Sequence, residues 1–261
     1  MRAWLFALVI VAVAVPGHAV PITTCGESVP AGETGDLTND LTCTFPPGFG
    51  AAVFLGDRST LNLNGFRITG DGPDVPGTHI GVYCGAPAGP RLHSCAVNGP
   101  GEVTNLGAGL FGDNARRMTV RDVTLRGNGD GLAGASADLL LTNVVADGNT
   151  EVGIYGNRIS GTGIQTNDNG DGGLGGERVT VTGLTATGNG AYGGLYKLGR
   201  AQRGRLTDAN VTGNDGGGQG YDITWEGRLR LTNTVCGKSA RMRQGVVADS
   251  HERLSSRGGL A

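Results

Sequence analysis

The sequence predicts an all-β, single-domain parallel β-solenoid with coils of about 20–22 residues, and three observations carry that expectation. Glycine supplies 50 of the 261 residues while aromatics supply 5%, a glycine share nearly three times the ordinary one. Leu, Val and Ile recur throughout a chain whose formal net charge is −2, whereas disorder needs few aliphatics and a high net charge. Five segments then align on one asparagine: "LRGNGDGL" at Asn128, "ADGNTEVGI" at Asn149, "TNDNGDGGL" at Asn169, "ATGNGAYGGL" at Asn189 and "VTGNDGGGQGY" at Asn214. The intervals are 21, 20, 20 and 25 residues.

The residues around each asparagine say what kind of repeat this is. Five before it stand Val123, Val144, Ile164, Leu184 and Ala209, and three before it Leu125, Ala146, Thr166, Ala186 and Val211. Eight before it stand Val120, Leu141, Gly161, Val181 and Leu206, and a few residues after it Leu132, Ile154, Leu174 and Leu195. A spacing of two is the strand period. Helical repeats run longer, and glycine at this density would disable them. The LxxLxL pattern of leucine-rich repeats is absent, and collagen's glycine at every third place is too. A coil cannot bury its apolar face alone, so stacking must build a continuous interior from these aligned residues.

Ahead of the repeat, Arg2 and the apolar run from Ala3 to Val15 read as an export signal, with "PGHA" offering a cleavage site after Ala19. The apolar run is shorter than the roughly twenty residues that cross a bilayer. The mature protein is therefore expected to be secreted, periplasmic or extracellular, with no membrane span. Near-neutral charge offers no basic footprint for nucleic acid. Of five cysteines, Cys25 with Cys43 and Cys84 with Cys95 close short loops, as expected of disulfides in an exported protein. Cys236 is left without a partner. The expected organisation is a signal peptide over 1–19, a disulfide-bracketed cap over 20–57, the solenoid over 58–236 and a weakly ordered tail over 237–261.

"LNLNGFRITG" at 61–70 resembles an early coil of bacterial right-handed parallel β-helix repeat proteins, and "TCGESVPAGETGDLTNDLTC" at 24–43 is similar to the cap of one exported branch. The resemblance runs from about Thr24 to Cys236. It implies the pectate-lyase-like superfamily fold and its right-handed winding. It also implies polysaccharide lyases, glycoside hydrolases and uronate epimerases as relatives, beside others with no assigned reaction. The sequence departs from the enzymes' patterns. It has no paired aspartates with a Gly-His-Gly segment and no Asp-Pro-His-Glu motif. His79 and His93 flank the second cysteine loop and His251 lies in the tail, so none is expected to share a coil face with an aspartate. Asp147, Asp168 and Asp171 with Arg158 have no motif that assigns them a lyase role.

Two outward stripes remain as candidates. The residues after the inward Leu and Ile are Phe111, Ala133, Tyr155, Gly175 and Tyr196, which alternates large rings with small residues. Rings two rungs apart, roughly 9.6 Å, suit a disaccharide step. Arg117, Arg158, Arg178, Arg205 and Arg228 each open a strand, with Asp138 in the same place of one coil. Arginines so stacked suit carboxylate or sulfate groups. The asparagines are expected to be structural, at turns where Asn tolerates left-handed geometry, bonding to one another along the stack. Calcium at the "NGDG" turns 128–131 and 169–172 is the competing reading, disfavoured because calcium-binding arrays repeat every nine residues. The resulting expectation is a monomer that binds extracellular or envelope polysaccharide through Phe111, Tyr155, Tyr196, Arg158 and Arg178, with no cofactor. A lyase or epimerase on acidic glycans, with calcium, is the alternative; an adhesin or surface spacer is the third.

Overall fold

The computed structural model describes residues 19–73, 78–85, 90–112, 115–197, 203–215, 220–243 and 246–248. The predicted signal segment and the tail beyond 248 lie outside the described residues, apart from Ala19. The chain winds as a parallel β-solenoid of about nine turns. Each turn visits three sheets in the same order.

The first sheet contains Glu27–Val29, Gly50–Leu55, His79–Cys84, Ala108–Phe111, the leading parts of Asp130–Asp147, Val152–Asn167 and Gly172–Thr187, then Gly193–Lys197, Ile223–Trp225 and Ser239–Arg243. The second sheet begins at Val20–Ile22 and Thr34–Leu37, and runs through 117–121, 138–142, 158–162 and 178–182 to 228–232. The third begins at Leu41–Thr42 and Arg67–Thr69 and ends at 234–236. From the coil of Arg117 onward the chain turns between second and third sheets on one left-handed residue: Asp122, Asn143, Gly163, Gly183, Asp208 and Asn233. Such tight corners let one unbroken strand, such as Asp130–Asp147, serve all three sheets.

The aligned apolar offsets become vertical columns. Leu110, Leu132, Ile154, Leu174, Leu195 and Ile223 stand in register along the first sheet, all with no exposed surface. Val120, Leu141, Val181 and Leu206 do the same in the second sheet, with Gly161 between Leu141 and Val181. In the third sheet, Leu125, Ala146, Thr166, Ala186 and Val211 are buried. Burying each large aliphatic side chain contributes about 1.5–3 kcal/mol.

The asparagines line the corner between the third and first sheets, and their side chains point inward. Asn128, Asn149, Asn169 and Asn189 are at most 1% exposed. Each donates its backbone N–H and its Nδ2 to the Oδ1 of the next: 3.0 and 3.2 Å from Asn128 to Asn149, 3.1 and 2.9 Å from Asn149 to Asn169. The second Nδ2 hydrogen reaches a backbone carbonyl below, Leu125 for Asn149 and Ala146 for Asn169. The left-handed residue is the one before, Gly127, Gly148, Asp168, Gly188 or Gly213, and not the asparagine expected from the sequence. The reason is that the asparagine must aim inward, so its predecessor reverses the chain. Glycine is also needed opposite: a Cβ on Gly153 would stand 2.8 Å from Asn169 Nδ2 and 2.7 Å from the Gly173 carbonyl.

Asp222 terminates this ladder. Its Oδ1 accepts Asn214 N–H at 2.9 Å and Asn214 Nδ2 at 3.1 Å, and its Oδ2 accepts the N–H groups of Gly237 at 2.7 Å and Lys238 at 3.0 Å. Four donors converge there, which suits an acceptor-only carboxylate better than an amide.

Both expected disulfides, Cys25–Cys43 and Cys84–Cys95, are formed. The segment read as a cap already winds in register, since Glu27–Val29, Thr34–Leu37 and Leu41–Thr42 pair with the coil above. At the other end, Ser239–Arg243 adds to the first sheet and pairs antiparallel with Val246–Ala248. Cys236 is a free thiol, half-buried. Burial, then the neighbouring Asp222, raises its pKa.

Candidate functional site

The outward residues of the first sheet form one long column. Phe54, Tyr83, Phe111, Ala133, Tyr155, Gly175, Tyr196 and Thr224 are successive partners across the rungs. Two aromatic groups stand on it. In the lower one, Tyr83 stacks with Phe111 at 6.0 Å and meets Phe49 edge-on at 5.1 Å and Phe54 at 6.1 Å. Tyr83, Ala51, Ile80 and Ala108, with Phe54 and Phe111 packed against them, make an apolar cluster separate from the interior. Phe49 keeps 49% of its surface exposed. In the upper group, Tyr196 lies between Tyr155, stacked at 6.3 Å and 9°, and Tyr192, tilted at 5.1 Å. Tyr192 is 52% exposed.

The expected exposed Tyr196 is a correction, for it is only 5% exposed. Rings two rungs apart were expected near 9.6 Å, yet they lean together over Gly175. A Cβ on Gly175 would fall within the Tyr196 ring. The small residue is what closes the pair, and Tyr192 becomes the exposed end of the stack. Phe49, Phe54, Tyr83 and Tyr192 were not read as candidates from the sequence. Phe49 and Tyr192 lie in turns outside the repeat offsets, while Phe54 and Tyr83 precede the first asparagine.

The rung between the two groups carries Asp130 and Ala133 outward, in register with Ala108 and Phe111 below and Tyr155 above. Burial lifts the Asp130 carboxyl to about 6; the N–H of Val152 works against this, and Glu151 and Asp171 on the next coils add to it. The Val152 N–H lies 3.3 Å from Asp130 Oδ1. The Tyr196 phenol is held protonated first by burial, then by Tyr155, Asp130, Tyr192 and Asp171. Over 105–112, 127–134, 148–156, 168–176 and 188–196 this edge has Asp130, Glu151, Asp168 and Asp171 and no lysine or arginine. Among the described residues no group of three or more His, Cys, Asp or Glu side chains is placed to hold a metal ion.

The arginines lie elsewhere. Arg117, Asp138, Arg158 and Arg178 are in register in the second sheet, with Arg158 3.7 Å from Asp138. Arg205 departs from the expected stripe: it pairs with Thr180, one outward column over, and Arg203 pairs with Arg228. Counting eleven residues back from each asparagine gives Arg117, Asp138, Arg158, Arg178 and Arg203, so the repeat spacing itself places Arg203, not Arg205, in this column. Arg158 and Arg178 therefore stand around a corner from Tyr155, on a different face.

Two histidines have carboxylate partners that come from outside the repeat spacing. His79 Nδ1 is 3.2 Å from Asp71 Oδ1, with Phe45 stacked on the ring at 4.9 Å. His93 Nδ1 is 2.9 Å from Asp57 Oδ2. Asp57 and Asp71 come from turns, which repeat spacing does not describe. The N–H of Phe45 is the main reason the Asp71 carboxyl sits below its ordinary value. His251 lies outside the described residues. On the third sheet an open cleft of about 480 Å³ is lined by Asp40, Phe66, Arg67, Glu102, Thr124 and Arg126. Its Arg67 is already held by Glu102 at 2.8 Å.

No family model and no curated protein matches the chain. Solved structures do. The enzymatically active domain of tailspike protein 2 from bacteriophage CBA120 superposes with a TM-score of 0.52 at 12% identity, over 83% of this chain and 39% of that one. Pectate lyase Pel9A gives 0.44 at 14% identity, over 81% and 62%. The A-module of the Azotobacter vinelandii mannuronan C-5 epimerase AlgE4 gives 0.40 at 16%, over 86% and 80%. The chain thus spans about two fifths of the tailspike domain, with which it shares the parallel β-helix fold.

Proposed function

We propose that this is an exported protein that binds a polysaccharide along the outer face of the first sheet, through segments of the polymer that carry no negative charge. The carrying observation is the pair of aromatic groups on either side of the Asp130–Ala133 rung. Rings present apolar faces to the C–H faces of sugars. Asp130 between them, with Glu151 and Asp171 beside the upper group, accepts hydrogen bonds from hydroxyls and repels an anionic sugar. The disulfides Cys25–Cys43 and Cys84–Cys95 suit an oxidising compartment. In this reading the protein works as a monomer and needs no cofactor. The test is retention of the purified protein in gels containing neutral glucan, mannan or galactan, with and without a chelator. Tyr192→Ala and Phe49→Ala are expected to weaken retention about tenfold each, a loss of roughly 1.4 kcal/mol; unchanged retention would overturn the proposal.

A second reading has a specific observation in its favour: Asp130, with a pKa of about 6, is suited to give up a proton at mildly acidic pH. It makes the same face a hydrolase. Reducing ends released from the retained polymer, with a rate that falls above pH 6 and disappears in Asp130→Asn, would favour it over simple binding.

A further inference from the structure

Near the C-terminal end of the stack, the second sheet carries the opposite chemistry. Arg203 and Arg205 are two apart on one strand, and Arg228 and Arg230 two apart on the next. Their registers pair Arg203 with Arg228 and Arg205 with Arg230. Gly204 and Leu206, which alternate with the first two, are buried, and all four arginines are exposed. The four side chains therefore leave from one face, with rungs roughly 4.8 Å apart and neighbours along a strand roughly 6.6 Å apart.

Like charges directly opposite across a sheet destabilise it. Elsewhere in this protein a facing carboxylate relieves them: Arg67 has Glu102, Arg126 has Asp147 and Arg158 has Asp138. The quartet has no such relief. Among the described residues, none of the four arginines has an ion pair or a side-chain hydrogen bond. Thr180, Thr182, Thr207 and Thr232 border it in register, so hydroxyls flank the guanidinium groups.

We propose that Arg203, Arg205, Arg228 and Arg230 form a second binding surface, for a polyanionic glycan, distinct from the aromatic face. Guanidinium groups bind carboxylate and sulfate oxygens through paired charge-assisted hydrogen bonds. An anionic polymer lying along the stack meets a pair of arginines at each rung. Exposure of all four makes the attraction sensitive to screening.

The experiment is affinity electrophoresis of the purified protein in dextran sulfate, polygalacturonate and plain dextran across rising salt. Retention by a polyanion, falling steeply with salt, is expected; the polymer that holds at the higher salt identifies sulfate or carboxylate as the preferred group. R203Q/R228Q and R205Q/R230Q should each weaken it about tenfold, and the fourfold variant should lose it. Binding of a neutral polymer to the aromatic face should survive in all of them, which separates this surface from that one. Replacement by lysine, which keeps charge but not the planar fork, should recover part of the retention. Thermal melts by circular dichroism check that each variant is folded. Retention by neither polyanion, or equal retention of the folded fourfold variant, would overturn the proposal.

Discussion

The first and second sheets share one backbone design and differ on their outer faces. Both stack parallel strands over an aliphatic column, Leu132–Ile154–Leu174 in one and Leu141–Gly161–Val181 in the other. Outside, the first presents rings and carboxylates, and the second presents arginines and threonines. A net charge of −2 conceals that separation. In a solenoid the interior column and the backbone bonds already hold the coils, so an outward column is free to take any chemistry. Each face can then serve a different ligand.

The sharpest way to break this comparison is to alter the interior on one side and the surface on the other. Asn169→Ala leaves the N–H and Nδ2 of Asn149, the Ala146 carbonyl and Asn189 Oδ1 without that partner. A loss of about 4 kcal/mol in urea unfolding is expected, because each orphaned buried group costs about 1–3 kcal/mol. Thr180→Ala, on the outside of the second sheet, should stay within about 0.5 kcal/mol.

The next effect is a pH dependence belonging to the first sheet alone. The Asp130 carboxyl titrates at about 6 in the folded protein against a reference of 3.8. The folded state therefore holds the proton longer, and stability contributed by protonated Asp130 falls as pH rises from about 4 through 6. Asp130→Asn should remove that slope and raise stability at neutral pH by about 2 kcal/mol, after allowance for partial exposure. Unfolding midpoints measured from pH 4 to pH 7 decide it; a slope that persists in the variant would point to other carboxylates.

A third change sharpens the role of the closed tyrosine pair. Gly175→Val displaces the Tyr196 ring and should weaken neutral-glycan retention about tenfold, roughly 1.4 kcal/mol, with a changed near-ultraviolet circular dichroism signal from the tyrosines. Retention of the Arg203–Arg230 face in polyanion gels should not move. The smallest effect is expected at Asp138, whose contact with Arg158 is 3.7 Å and largely exposed. Asp138→Asn should change stability by less than about 0.5 kcal/mol.

Much of the scaffold was legible in the chain because coil stacking imposes a period. The offsets of −8, −5 and −3 from each asparagine mark residues that the register places in columns. Both disulfides could also be read, since short loops leave few economical pairings among five cysteines. The candidate face was legible only in part. Phe111 and Tyr155 occupy their expected column, but Tyr192, Phe49 and Asp130 stand in turns or at strand starts. Arg203 was legible as well, for it stands eleven before Asn214 as Arg178 stands eleven before Asn189.

The sequence by itself determined the repeat, the strand period, the interior columns and the position of the asparagine corner, because each follows from a pattern that recurs along the chain. Only the tertiary structure decided that Asp222 ends the asparagine ladder, that Tyr196 folds down over Gly175, and that rings and arginines occupy different faces. Asp222 lies off the asparagine offset, and the lean of the Tyr196 ring depends on Tyr155 and Tyr192 packing against it; a one-dimensional spacing contains neither.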